Sequence, residues 1–329
     1  MNALPEEFIF SPETDFSEKA IRLFHFQYRN NELYKRYVDS INCKTAAIYQ
    51  PQDIPFLPIS FFKTHTVAAT HFQPEIIFES SGTTGSVNSK HFVKHISLYE
   101  KSFINAFEHF YGNIKNYCVL GLLPSYLERP GSSLVYMVKK MMEISKHPQN
   151  AFHLYDHARL FDKLQKLEEE NVPTLLVGVT YALLDFAEAH PTKLANTIIM
   201  ETGGMKGRKK EMLRQEVHDV LRQAFGQQHI HSEYGMTELL SQAYAKEEGI
   251  FRTPPTMKML LREEDDPFAI TAEPSKPITG VLNIIDLANV YSCSFIATDD
   301  IGRLHPHGSF EVLGRMDNSD VRGCSLMVM

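Results

Sequence analysis

Four short stretches hold residue types that could do chemistry together. In "FESSGTTGSVNSKH", Phe78 to His91, Gly82 and Gly85 let successive main-chain N–H groups turn toward one anion, and Ser80, Ser81, Thr83 and Thr84 add hydroxyl donors. That is the chemistry of a phosphate cradle, although the same composition also builds a plain strand-to-helix turn with a Ser/Thr cap. "SEYGMTE" places the ring of Tyr234, Gly235, the hydroxyl of Thr237 and the carboxylate of Glu238 within five residues. Those groups suit stacking on a base, a hydrogen bond to phosphate and a magnesium contact. "ATDDIGRL" offers Asp299 and Asp300, and "VLGRMDNSD" offers Arg315, able to form charge-assisted bonds to ribose or phosphate oxygens. Lys90 follows the glycine loop and is a candidate cation, or an exposed lysine on a turn. A P-loop is excluded by spacing: counted from Gly82, glycine and lysine are required where Val87 and Asn88 stand.

Stepping outward, these stretches need a scaffold, and the pattern around them predicts one. From Glu75 short apolar runs alternate with helical segments: "EIIF", "SLYEKSFINAFEHFYG", "YCVLGLLP", "GSSLVYMVKKMMEIS", "DHARLFDKLQKLEEEN", "TLLVGV", "YALLDFAEAH", "TIIM", "GRKKEMLRQEVHDVLRQAF" and "HIHSEYG". That alternation predicts an α/β fold with layered, largely parallel sheets and flanking helices. In such sheets ligands sit beyond the carboxyl ends of strands, so the loops after Phe78, Leu123, Met200 and Glu233 are the candidate positions. Upstream, "SEKAIRLFHFQYRNNELYKRYVDSI" reads as helical behind Ser17 as N-cap. The proline-punctuated "PQDIPFLPISFFKTH" reads as an irregular wrap, unsuited to a helix or a central strand. From Gly249 proline-broken strands take over with no long helix, which predicts an α/β core over 1–248 and a smaller β-rich part with a short tail over 249–329.

Composition narrows the function classes. A chain of 329 residues, 43% apolar, can bury a sizeable core. A net charge of -7 of mixed sign argues against a nucleic-acid groove. The acidic N-terminal stretch has no leader pattern and no run reaches the roughly 18 apolar residues of a membrane span, so the expected location is cytoplasmic. The four cysteines, Cys43, Cys118, Cys293 and Cys324, form no CxxC pair and read as free thiols.

In their order along the chain, "SSGTTG", "YGMTE", "TDDIGRL" and "LGRMD" resemble the phosphate, adenine/magnesium, ribose and hinge motifs of the adenylate-forming superfamily: acyl-CoA synthetases, nonribosomal adenylation domains and luciferases. Within it, "DIPFLPISFFK", "METGGMKGR" and the ending "RGCSLMVM" look like the acyl-protein synthetase (LuxE-type) component of the bacterial fatty-acid reductase complex. The resemblance implies ATP and Mg2+ as cofactors. Ser81, Gly82, Thr83, Thr84 and Gly85 would meet the triphosphate, Gly203 and Gly204 would border the adenine, and Tyr234 with Gly235 would stack on it. Thr237 would touch the α-phosphate, Glu238 would hold magnesium, and Asp300 with Arg315 would bind the ribose. The family glycine before that aspartate is Asp299 here. The family's further mobile C-terminal domain, which carries a late lysine, is expected to be absent after "LGRMD", leaving Lys90 as a substitute cation.

The resemblance further implies ATP-dependent activation of a fatty acid, acyl transfer to Cys324 and onward delivery to a reductase partner. The alternatives are a ligase that acylates coenzyme A and a non-catalytic nucleotide-binding subunit. Leu, Tyr and Met side chains of "LPSYLERPGSSLVYMVKKMM" would line the acyl pocket, or form plain core.

Overall fold

A computed structural model describes residues 6–80, 87–124, 131–203 and 212–316. In chain order the strands are β1 (Leu57–Pro58), β2 (Ile76–Glu79), β3 (Lys90–Val93), β4 (Cys118–Leu122), β5 (Ala151–His153), β6 (Thr174–Val179), β7 (Thr197–Thr202) and β8 (His231–Tyr234). They continue as β9 (Ala243–Ala245), β10 (Phe251–Arg252), β11 (Met257–Arg262), β12 (Ile270–Thr271), β13 (Ile278–Asp286), β14 (Phe295–Leu304) and β15 (Phe310–Arg315). The chain divides into two compact units. One comprises the described residues within 6–106, 235–243 and 252–316, and the other those within 107–234 and 244–251.

The second unit is the α/β part. Its strands run in the order β8-β7-β6-β4-β5, and every one of these pairings is parallel. β4 and β6 are buried along their whole length, the pattern of strands covered on both faces. Helices Ser133–Ser145, His157–Glu169, Thr180–Ala189 and Arg214–Phe225 fill the crossovers. Each uses ordinary end chemistry: Ser132 and Asp156 cap N-termini with their side chains, and Gly226 closes the last helix in the left-handed region at φ 63°. Helix Ser133–Ser145 packs on β4 through Met137, Val138 and Met141, all buried, so those methionines are core.

The first unit is different and corrects the expectation of a largely parallel architecture. β11, β12, β13, β14 and β15 pair antiparallel, and the two-residue β1 joins β14 in parallel. β2 and β3 form an antiparallel hairpin, so the glycine-rich stretch does not lead from a strand into a helix. The strand "KHFV" escaped the sequence pattern because its alternation is carried by a lysine and a histidine: Lys90 is exposed while His91 and Val93 are buried. Two smaller expectations also change. The N-terminal helical pattern is two helices, Phe16–Asn30 and Glu32–Ser40, because the Asn31 side chain accepts from Tyr34 N and starts the second. The first of them is capped by Asp15, which accepts from Ser17 N at 2.8 Å, and not by Ser17. Within the proline-rich segment, Leu57 and Pro58 pair with Ile296 and Ala297, a short strand where only irregular chain was expected.

Among the described residues, no helix is long and apolar enough to cross a membrane. The described cysteines, Cys43, Cys118 and Cys293, are free thiols.

Candidate functional site

In the first unit, the turn after β8 is held from three directions by its main chain. His91 on β3 donates from Nδ1 to the carbonyl of Thr237 at 2.8 Å. Asn289 donates from Nδ2 to the carbonyl of Glu238 at 2.7 Å. Asp286, the last residue of β13, accepts from Leu240 N at 2.7 Å and Ser241 N at 3.0 Å through Oδ2, and from Ser241 Oγ at 2.6 Å and Ala288 N at 3.1 Å through Oδ1. All three clamping side chains are buried, so they fix the loop and do not present themselves to a ligand. Burial lowers the His91 imidazole to about 4, outweighing its hydrogen bonds to the Thr237 carbonyl and Asn289, so it acts as a neutral donor. Burial likewise raises the Asp286 carboxyl, against the four hydrogen bonds that hold it down.

The clamp leaves Gly235 exposed and Thr237 half-buried, with Glu238 buried beneath. A single carboxylate carried on a fixed main chain fits magnesium, which commonly takes one or two protein carboxylates and completes its shell with water and substrate phosphates. Among the described residues no group of three or more His, Cys, Asp or Glu could hold a metal by itself.

Asp300 and Arg315 face each other across β14 and β15. Arg315 Nε donates to Asp300 Oδ1 at 2.7 Å, and both side chains are largely buried. Thr298 supports the pair by accepting from Asp300 N at 3.1 Å while donating to the Leu282 carbonyl at 2.7 Å. The "DD-I-G" step has a physical reason for its glycine: a Cβ on Gly302 would meet the Glu311 carbonyl oxygen and Leu282 Cδ2 at 2.7 Å each. Lys90 pairs across the hairpin with Glu79 at 3.5 Å, both side chains about half exposed. The neck of that hairpin is closed by Ser80 and Ser89: Ser80 N donates to the Ser89 carbonyl at 3.0 Å and Ser89 N to Ser80 Oγ at 2.9 Å. Ser81, Gly82, Thr83, Thr84 and Gly85, which join β2 to β3, lie outside the described residues, as do Gly204 and Cys324.

In the second unit, the carboxyl ends of β7 and β8 carry Gly203 and Tyr234. Gly203 sits at φ 73°, a conformation that glycine adopts without strain. The residues just before them, Thr202 and Glu233, are joined by a short hydrogen bond from the threonine hydroxyl to the carboxyl group. Glu233 is raised to about 7, first by burial and also by the charge of Glu201, against the hydrogen bond from Thr202. The Tyr234 ring meets Phe251 edge-on at 5.9 Å, and the Arg214 guanidinium lies over Phe251 at 5.0 Å. Arg214 Nε also donates to Glu201 Oε1 at 3.2 Å.

Glu201 is the hub beneath these strand ends. It accepts from Ser232 Oγ at 2.7 Å and Thr180 Oγ1 at 3.0 Å, with His218 Nε2 at 3.6 Å. Burial pushes its carboxyl up, but His218, Arg214 and Ser232 together outweigh burial and hold it at about 2. A Ser-His-Glu set of this kind has the members of a nucleophilic triad and not the wiring: the serine hydroxyl donates to the glutamate, so it is an anchor.

Of the candidates named from sequence, Lys90, Gly203, Tyr234, Gly235, Thr237, Glu238, Asp300 and Arg315 lie among the described residues, and within the first unit the structure brings Asp300 and Arg315 into direct contact. Sequence reasoning missed the residues that hold them: His91, Asp286, Asn289, Glu201, Ser232 and His218. The signal for Asp286 was present as an acid closing the apolar run "GVLNIID", where a strand interior would not tolerate an unsatisfied charge.

No family model matches the chain, and no curated protein matches it in sequence. Solved structures do. An open conformation of 2-hydroxyisobutyryl-CoA ligase in complex with 2-HIB-AMP and CoA superposes with a TM-score of 0.63 at 11% identity, covering 92% of this chain and 69% of the ligase. O-succinylbenzoate coenzyme A synthetase from Bacillus subtilis, in complex with ATP and magnesium, gives a TM-score of 0.50 at 15% identity, covering 75% of this chain and 52% of the synthetase. A double mutant of the same synthetase bound to a product analogue gives 0.51 at 15% identity, over 90% of this chain and 61% of that one. The chain thus shares the mixed α/β fold of these CoA ligases, reached at identities where fold is retained and sequence is not.

Proposed function

We propose that this chain activates a carboxylic acid with ATP as an acyl-adenylate. The observation that carries the reading is the clamped turn Gly235–Ser241, which fixes Thr237 and Glu238 by their main chain and sits on a fold shared with CoA ligases. Rigid placement of a hydroxyl and a carboxylate is what phosphoryl chemistry asks of a protein, because positioning and charge neutralisation do most of the work.

In the proposed reaction, an oxygen of the substrate carboxylate attacks the α-phosphorus of ATP. The bond from that phosphorus to the bridging oxygen breaks, and pyrophosphate leaves with the electron pair. Thr237 donates to an α-phosphate oxygen. Glu238 would hold Mg2+, whose positive charge, when bound, offsets the charge on the phosphate oxygens. Ser81, Gly82, Thr83, Thr84 and Gly85 would cradle the departing phosphates, with Lys90 as an added cation. Gly203, Gly204 and Tyr234 of the second unit are the candidates for bordering the adenine, and Asp300 with Arg315 of the first unit the candidates for the ribose hydroxyls.

The finer reading, that of an acyl-protein synthetase, has a fatty acid as the acid and Cys324 as the acceptor. The Cys324 thiolate attacks the acyl carbonyl, AMP departs, and the thioester passes to an acyl reductase partner. The other thiols are poorer acceptors. Burial pushes Cys118 up to about 11 and Cys293 to about 12, and it raises Cys43 as well. A second reading, transfer to coenzyme A, is favoured by the likeness to CoA ligases.

Incubation with ATP, magnesium and a panel of carboxylic acids, followed by intact-mass and peptide analysis, separates these. Acylation at Cys324 that Cys324→Ser abolishes supports the acyl-protein route. Turnover that needs coenzyme A and survives Cys324→Ser supports the second. No AMP formation with any acid removes both.

A further inference from the structure

The second unit contains a cavity of about 340 Å³ whose described lining shares only Pro124 with the stretch expected to form an acyl pocket, and holds none of the residues proposed for the nucleotide. It lies at the carboxyl ends of three neighbouring parallel strands, where crossover loops of such sheets form ligand sites. Pro124 follows β4, Leu154 and Tyr155 follow β5, and Tyr181, Ala182 and Asp185 belong to the helix Thr180–Ala189 that follows β6. His157, in the first turn of helix His157–Glu169, completes the lining among the described residues.

The lining is asymmetric. Tyr181 and Ala182 form a floor that is 3% and 2% exposed, while Tyr155 and Leu154 stand at the mouth at 57% and 40% exposure. Two large apolar side chains left open to water beside a concave aromatic floor mark a surface that a ligand would cover. Among the described lining residues, polarity comes from Asp185 and His157 and from the hydroxyls of Tyr155 and Tyr181. Tyr181 and Asp185 are one helical turn apart and share a face, so the carboxylate stands beside the aromatic floor. Among the described residues no lysine or arginine lines the cavity, and burial lowers the His157 imidazole, so these walls present a carboxylate and no fixed cation. A carboxylate accepts about four hydrogen bonds, so Asp185 can serve a ligand donor beside the groups it already engages.

We propose that this cavity binds a compact planar ring carrying a hydrogen-bond donor, a phenol or an arylamine, with the ring between Tyr155 and Tyr181 and the donor on Asp185. At interior packing density the space holds about fifteen non-hydrogen atoms, enough for one substituted ring and too small for a nucleotide. The site is separate from the residues proposed for adenylation and does not depend on that reading.

The test uses the full chain without ATP or magnesium and two neutral probes of matched shape, 4-methylphenol and 4-methylanisole, titrated by ligand-observed NMR. Neither carries a carboxylate, so failure of adenylation and failure of this inference are distinguishable. The phenol should bind roughly tenfold more tightly than its methyl ether, the worth of one hydrogen bond to a charged group. Asp185→Ala should bring the two to parity, and Ala182→Phe, which fills the floor, should abolish binding of both while circular dichroism shows a folded chain. Parity of the two probes on the unaltered protein, no binding of either, or unchanged binding to Ala182→Phe would overturn the proposal.

Discussion

Replacing Glu233 with glutamine should stabilise the protein increasingly as pH rises from about 4.5 to 7, and by a constant amount above that. The reason is the proton that burial keeps on this carboxyl. Its ordinary value of 4.5 is raised to about 7 in the folded chain, so between those two pH values the folded state holds a proton that the unfolded state has released. The stabilisation linked to that proton is complete below about pH 4.5 and is lost as pH rises through 7. At about 1.4 kcal/mol per pH unit, the rise from 4.5 to about 7 costs the fold about 3 kcal/mol, nearly all of it by about pH 7. Glutamine keeps an oxygen for the Thr202 hydroxyl and carries no charge to desolvate. Denaturant unfolding of both proteins, followed by far-ultraviolet circular dichroism between pH 5 and 9, gives the comparison directly. The variant should exceed the parent by no more than about 1 kcal/mol at pH 5, and by about 3 kcal/mol on a plateau above about pH 7. A difference that does not change over this range would refute the reasoning, because a pH-independent effect comes from packing and not from the proton.

Two further outcomes follow from the first unit. Asp286→Asn presents an amide donor to the N–H groups of Leu240 and Ser241, and should cost about 2–4 kcal/mol in denaturant unfolding by orphaning buried donors. Lys90→Ala removes an exposed cross-strand pair and should change stability by no more than about 0.5 kcal/mol; if Lys90 also assists at the phosphates, acid-dependent pyrophosphate exchange should fall about a hundredfold in the same variant.

Much of the second unit was legible in the sequence, because its strands are continuous apolar runs and its helices carry capped amphipathic patterns. "TLLVGV" and "DHARLFDKLQKLEEEN" became β6 and the helix His157–Glu169 for that reason. The first unit was less legible. The apolar run of β13 and the alternating one of β14 do not reveal whether they pair parallel or antiparallel, and the strand β3 hides its buried position under a histidine. The candidate site shows the same division. Glycines and hydroxyls on loops stood out as residue types, whereas Asp286 and Asn289 act on the turn after β8 from 45 and 51 residues away in sequence, a distance no local pattern can signal.

The claim that this chain makes acyl-adenylates is tested most directly by isotope exchange between radiolabelled pyrophosphate and ATP across a panel of carboxylic acids. The reading predicts exchange that requires both magnesium and a particular acid, and that drops at least a hundredfold in Glu238→Gln while the variant remains folded. Exchange absent with every acid, or unaltered by Glu238→Gln, would contradict it.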